Sequence, residues 1–299
     1  MSSSKLPSHM QAWQKPAVAT APEPVRNSVP VPSPGEHEIL LKILAAGVCH
    51  SDSYLLEGSH TLQVHKEPFT LGHEGCGEIV SLGSNVDESK VRIGQRVSIV
   101  LAPGCKQKEC GECKRGLERR CKRFGIYGFK QQGFFAPYVA VKEWAVVSVP
   151  DGESVDYLSC SLELKRLAVP SPVAAVAPDA VLTAYHAVKA EAKVGPGMTI
   201  IIYGLGGLGL NAVQIAMHLG AKRILVVDRR KSAIDHAIKL GVAEADAFCL
   251  DDGQKVEEYV ASNGIDVDAT IDFVSSDETF RSAQHAGRCI PQAFPHPHD

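Results

Sequence analysis

The stretch that decides the fold is Thr199–Asp228, TIIIYGLGGLGLNAVQIAMHLGAKRILVVD. Its first five residues are all β-branched or aromatic, the pattern of a strand buried on both faces. Gly204-Leu205-Gly206-Gly207-Leu208-Gly209 then fits G-x-G-x-x-G and opens an amphipathic pattern from Leu208 to Leu219 that closes on Gly220. RILVVD follows as a second strand and ends on Asp228, 19 residues beyond Gly209. A glycine motif alone is weak evidence, and its bland reading is a glycine-rich turn with no ligand. Preceded by a strand, followed by a helix and answered by an acidic residue at the next strand end, it reads as a dinucleotide loop. Gly204 makes the tight turn, Gly206 lets the backbone approach a pyrophosphate, and Gly209 lets helix and strand pack closely. Leu208 begins the helix, whose terminal N–H groups face the anion, and Gly207 precedes it in the loop. Asp228 would accept both ribose hydroxyls and repel a 2′-phosphate, which favours NAD over NADP; Arg229, Arg230 and Lys231 are cations that could answer a phosphate.

C-terminal to this stretch, KSAIDHAIKLG, AFCL, VEEYVASNG, DATIDFV and ETFRSAQHAG continue as helix, strand, helix, strand, helix. Such alternation builds βαβ units around a parallel sheet. The tail CIPQAFPHPHD has three prolines in eleven residues and cannot supply a further sheet strand, so DATIDFV is expected at an exposed edge. N-terminally, from Gly35 to about Pro150, β-branched runs alternate with glycine and proline (EILLKILAAGV, CGEIVSLG, GQRVSIVL, FAPYVAVK, AVVSVP), the rhythm of an all-β barrel or sandwich. The reading is an α/β protein with one domain over 1–176 and a second over 177–299. Tyr157–Pro172 fits neither rhythm and is expected to be an irregular insertion or exposed loop, followed by a helix at Asp179.

Composition narrows the classes. With 299 residues, 44% apolar and 22% charged, the chain is neither disordered nor collagen-like nor a small disulfide scaffold. Thirty-one basic against 34 acidic side chains leave a net charge of −3, so no chain-wide positive field points to nucleic acid or an anionic membrane. No apolar run approaches the ~20 residues that span a bilayer. The first 30 residues lack a signal-peptide core, and the expected location is cytoplasmic.

Of nine cysteines, Cys105, Cys110, Cys113 and Cys121 fall within seventeen residues, which favours metal over disulfide. The same lobe holds eight Lys or Arg against three Glu. It has no interleaved aromatics and no paired C-x2-C ribbon, so the charges read as a solvated surface rather than a nucleic-acid module. Cys76, Cys160, Cys249 and Cys289 lack ligand spacing and read as structural. Upstream stand Cys49-His50-Ser51-Asp52 and Gly72-His73-Glu74, the latter followed by Gly75 and Gly77.

These four features, in this order over roughly residues 35 to 285, resemble the zinc-dependent alcohol dehydrogenase family of medium-chain dehydrogenases. The resemblance implies a GroES-like β-barrel catalytic domain followed by a Rossmann domain. It implies a catalytic zinc on Cys49, His73 and Asp179, with a fourth position open to water or substrate. Taken alone, an aspartate in a Pro-Asp pair before a helix is also a common N-cap. Glu74 and Asp52 match the family's supporting carboxylates, and Glu74 is also expected to approach the metal itself. Cys110, Cys113 and Cys121 match three ligands of a structural zinc. The usual fourth would fall at Gln107, and the PGCKQKE loop would bring Cys105 in instead. Ser51 matches the position that relays the alcohol proton, and Tyr54 stands where the family has a relay histidine. His50 and Arg229 are expected near the cofactor.

The implied activity is hydride transfer between an alcohol and NAD, giving an aldehyde or ketone, by a possible homo-oligomer. The chain is shorter than family members usually are and reads as C-terminally truncated. The competing expectation is therefore a catalytically silent zinc- and nucleotide-binding protein.

Overall fold

The structure, a computed structural model, describes residues 6–16, 23–57, 68–151, 168–253 and 255–287. The chain divides between Pro178 and Asp179 into two compact units.

The first unit contains β1 (His9–Lys15), β2 (Val25–Pro30), β3 (Glu38–Gly47), α1 (His50–Leu56), β4 (Phe69–Thr70), β5 (Glu74–Leu82), β6 (Arg96–Ile99), α2 (Gly111–Lys114), β7 (Tyr138–Lys142), β8 (Val146–Ser148) and α3 (Ser171–Val176). Strands β7-β3-β5-β6-β8 form an antiparallel sheet, and β2-β1-β4 form a second. Alternation along β7 buries Val139 and Val141, which join Ile39, Leu41, Ile79, Val97, Ile99 and Phe134 in one core. Register shifts at Leu40/Leu41 and Ile43/Ala45 in the β3–β5 ladder are bulges of the kind that bend a strand and steepen its twist.

Two differences from the sequence reading stand out. β1 and β2 lie before Gly35, in the proline-rich leader where no strand was read. β2 is almost wholly exposed and so carries no buried-exposed alternation to reveal it. The helix expected at Asp179 begins at Ser171, capped by Pro170 with Pro172 in its first turn, where a missing N–H costs nothing. The last residues of the expected Tyr157–Pro172 insertion are thus a helix start. Val169 N–H bonds the Pro150 carbonyl, and residues 157–167 lie outside the described residues. Ala174 and Ala175 of α3 pack with Cys76 and Val149, and the Ser98 hydroxyl donates to the Ala174 carbonyl at 2.7 Å.

In the second unit a π-type segment (Ala177–Val181), α4 (Leu182–Tyr185) and another π-type segment (His186–Glu191) lead to β9 (Thr199–Tyr203). Then follow α5 (Gly207–His218), β10 (Arg223–Asp228), α6 (Lys231–Leu240), β11 (Ala247–Cys249), α7 (Val256–Ser262), β12 (Ala269–Asp272) and α8 (Asp277–Ala286). The strands are parallel in the order β11-β10-β9-β12. Ile200 and Ile202 face Ala212, Val213 and Ala216, while Ile201 and Tyr203 face Val256 and Val260. Cover on both faces is why TIIIY has no polar alternation. α6 closes on Gly241 at φ 114°, and α8 opens on Ser276, whose hydroxyl accepts from Thr279 N–H at 3.1 Å. Among the described residues β12 is a margin of the sheet, and the tail 289–299 lies outside them. No described helix is long and apolar enough to cross a membrane.

Candidate active site

Cys49 stands at the cap of α1 in extended backbone. Its N–H donates to Asp52 Oδ2 at 3.0 Å, while Asp52 N–H donates to the Cys49 carbonyl at 3.0 Å. This reciprocal pair fixes the first helical turn and turns the other carboxylate oxygen inward. Asp52 Oδ1 lies 3.3 Å from His73 Nδ1, with both side chains at least nine-tenths buried. His73 follows Gly72, whose φ of +92° and close approach to the Phe135 ring admit no side chain. The imidazole packs edge-on against Phe129 at 5.2 Å. An imidazole whose Nδ1 faces a carboxylate presents Nε2 as its metal-binding nitrogen.

Asp179 lies in the Ala177–Val181 segment that continues from α3, inside a helical stretch rather than at a cap. The N-cap alternative is therefore excluded. Its Oδ1 accepts the Thr183 hydroxyl at 2.8 Å. The ligand atoms of Cys49, His73 and Asp179 lie within 4.8 Å of one another. Tetrahedral zinc with ordinary bond lengths spaces such donors about 3.3–3.6 Å apart. One sulfur, one ring nitrogen and one carboxylate oxygen at this spacing fit that ion, and small side-chain shifts close the rest.

Around this group, the Cys49 thiol donates to Ser51 Oγ at 3.7 Å. His50 instead stacks edge-on with the half-exposed Tyr54 at 4.8 Å. Glu74 is buried on β5, and a side chain at Gly47 would collide with its carboxylate. Glu74 is not among the three donors grouped within 4.8 Å.

The cysteine lobe forms a second group. Cys105, Cys110, Cys113 and Cys121 place their sulfurs within 4.8 Å of one another, with Cys105–Cys113 at 3.8 Å and Cys110–Cys121 at 3.7 Å. A tetrahedron with zinc–sulfur bonds of about 2.3 Å has edges of about 3.8 Å, so four thiolates here fit the ion closely. Cys105, and not residue 107, supplies the fourth donor of this group. Crowding separates the thiols in acidity. Burial opposes ionisation of Cys121, but N–H donors of Phe124 and Cys105 and the neighbouring thiols outweigh it, bringing the group down to about 6. Cys110 is favoured by the Cys113 N–H, yet burial and the adjacent thiols push it up to about 12. Like charges so close oppose one another, and a divalent cation is what allows four thiolates together.

At the dinucleotide loop Gly204 has φ +84°, and its N–H bonds the Val227 carbonyl at 2.8 Å. A side chain at Gly209 would strike the Gly204 carbonyl, whereas one at Gly206 meets nothing within 4 Å. The first glycine contact is internal and the second faces open space at the N-terminus of α5, the cradle an anion needs. Asp228 accepts Leu205 N–H at 2.7 Å and Arg230 N–H at 2.8 Å. Burial disfavours its charge, but bonds from the Arg230 side chain, the Arg230 backbone and the Leu205 backbone prevail and hold the carboxyl below the usual range. Arg229 pairs with Asp251 at 3.3 Å and is three-quarters exposed. Arg230 is the cation on Asp228, at 3.2 Å. Sequence alone could not separate them, because neighbouring residues at a strand end project to opposite sides.

Comparison with known proteins gives concordant likenesses. Residues 35–151 match the alcohol dehydrogenase GroES-like domain, and residues 207–289 match the zinc-binding dehydrogenase domain. Sorbitol dehydrogenase of Bacillus subtilis is 33% identical over 248 residues, covering 80% of this chain and 63% of that protein. L-galactonate-5-dehydrogenase of Escherichia coli is 30% identical over 263 residues, 87% of this chain and 70% of that one. The chain thus spans somewhat under two thirds of the first of these relatives. The solved acetophenone reductase of Geotrichum candidum, in complex with NAD, superposes with a TM-score of 0.75 at 32% identity, over 95% of this chain and 74% of that one.

Proposed function

Because the chain belongs to the zinc-dependent alcohol dehydrogenase family of medium-chain dehydrogenases, we propose that it transfers a hydride between a small alcohol and NAD, giving an aldehyde or ketone. The observation that carries this reading is the convergence of the Cys49, His73 and Asp179 donors within 4.8 Å. Held by these three side chains, zinc supplies Lewis acidity toward the alcohol oxygen, and the nicotinamide supplies the hydride acceptor. Ser51, whose Oγ lies against the Cys49 thiol, takes up the alcohol proton and passes it outward. Asp52 orients the His73 ring through its 3.3 Å contact and raises the basicity of the ligand nitrogen. Glu74, buried at the start of β5, adds negative charge near the donor set and approaches the metal itself. His50, next to the metal cysteine in the chain, is assigned to cofactor binding.

Gly204, Gly206, Gly207, Leu208 and Gly209 bind that pyrophosphate through backbone N–H groups at the start of α5, and Asp228 takes the adenosine ribose. The four-cysteine lobe holds a second, structural zinc. Its reduced thiols suit a reducing compartment, and the protein acts in the cytoplasm. Its partners are small molecules and further copies of itself rather than nucleic acid or membrane, in keeping with the net charge of −3.

The test is a metal count joined to turnover. Purified protein is expected to carry about two zinc ions, one per site, and to reduce NAD when offered short alcohols. Zinc and NADH binding without turnover on any alcohol would leave a silent binding protein and overturn the proposal.

A further inference from the structure

Resting on the nucleotide reading above, the geometry at the end of β10 points to one more role. A carboxylate offers about four acceptor positions. On Asp228 two are taken by main-chain donors, Leu205 N–H at 2.7 Å and Arg230 N–H at 2.8 Å. The other two are taken by one guanidinium: Arg230 Nε reaches Oδ1 at 3.2 Å, and Nη2 reaches Oδ2 at 3.4 Å. Nη2 also reaches the Leu205 carbonyl, at 3.5 Å, at the edge of the glycine loop.

The main-chain bonds belong to the turn itself. The guanidinium is different, because its side chain is 62% exposed while that of Asp228 is 9% exposed. It is the movable partner. Two ribose hydroxyls need two acceptor positions, and Arg230 stands on the two that the backbone leaves.

We propose that Arg230 is a built-in occupant of the adenosine-ribose subsite. It covers Asp228 in the free protein, is displaced by the ribose hydroxyls of NAD, and then lies beside the ribose, where it accepts a 2′-phosphate. Arg230 thereby narrows the preference that Asp228 alone would set. It weakens NAD, because only the uncovered fraction of molecules is ready to bind. It strengthens NADP, because a displaced guanidinium offers a charge-assisted fork to the phosphate.

The test is fluorescence titration of NADH and NADPH against the zinc-loaded 299-residue chain, its Arg230→Ala variant and its Arg230→Lys variant. Arg230→Ala is expected to tighten NADH about threefold to tenfold and to weaken NADPH about tenfold or more. Arg230→Lys, which keeps the charge but not the fork, falls between wild type and Ala for NADPH. In an Asp228→Ala background, adding Arg230→Ala leaves NADH affinity unchanged, since nothing remains to be covered. Absence of either the NADH gain or the NADPH loss, with both nucleotides still binding the wild type, overturns this role and leaves the dehydrogenase reading intact. A wild type that binds neither nucleotide overturns both.

Discussion

The two groups of metal donors differ in how they are assembled. The cysteine lobe draws all four sulfurs from residues 105 to 121, a segment with a four-residue helix and short turns. The Cys49, His73 and Asp179 group draws its donors from the cap of α1, the start of β5 and the segment after α3. One needs little beyond a loop that closes on an ion; the other needs a folded sheet and helix before its donors meet. The first offers four like donors and a closed shell, as a structural site does. The second offers three unlike donors, the kind of set a catalytic zinc uses.

The hardest blow to this contrast is Cys49→Ser. It is expected to cut turnover by about a thousandfold or more, equivalent to ~4 kcal/mol of transition-state stabilisation. Metal analysis should show one zinc lost and the cysteine lobe still loaded. Loss of both ions together would mean that the sites are not independent. Next in size, Gly206→Ala should leave the thermal transition nearly untouched and weaken NADH by about tenfold to a hundredfold, because its side chain meets only the incoming nucleotide. Gly209→Ala should do the reverse, lowering stability by about 1–3 kcal/mol through collision with the Gly204 carbonyl.

Cys105→Ser should release the lobe's zinc and lower the melting temperature by several degrees, roughly 2 kcal/mol, with turnover of surviving protein largely kept at low temperature. An equal loss from Cys49→Ser and Cys105→Ser would erase the distinction between the sites.

The smallest effect belongs to Asp228→Asn. The folded Asp228 carboxyl lies below its unfolded value, so its stabilisation is present above the unfolded value near 4 and fades as pH falls through the folded one. The variant should melt lower than wild type at pH 7, with the gap closing in acid. A gap constant with pH would assign the loss to packing.

What was legible in the chain follows the same division between local and distant. The parallel sheet could be read because each of its features is local: β-branched runs for β9 and β10, and Gly241 closing α6. The grouping of the four cysteines could be read for the same reason, since all four fall within seventeen residues. The catalytic donors could be paired only through resemblance, since no spacing rule links Cys49 to Asp179. β2 escaped because an exposed edge strand has no buried face to betray it. The true start of α3 escaped because Pro170 and Pro172 read as loop residues, although proline suits a first turn. The orientation of Arg229 and Arg230 is a matter of which side of a strand end each leaves, and composition is silent on it.

The lobe's tolerance has a wider consequence. Gly104 at φ 72° and Lys106 at φ 53° hold the left-handed backbone region on either side of Cys105, and Glu118 anchors the Lys106 ammonium at 2.6 Å. This crank lets a sulfur arrive from the wrong register and still reach its partners. Templates that count residues between cysteines will overlook lobes of this kind, whereas a criterion of reach, asking only whether the chain can deliver a fourth sulfur, recovers them.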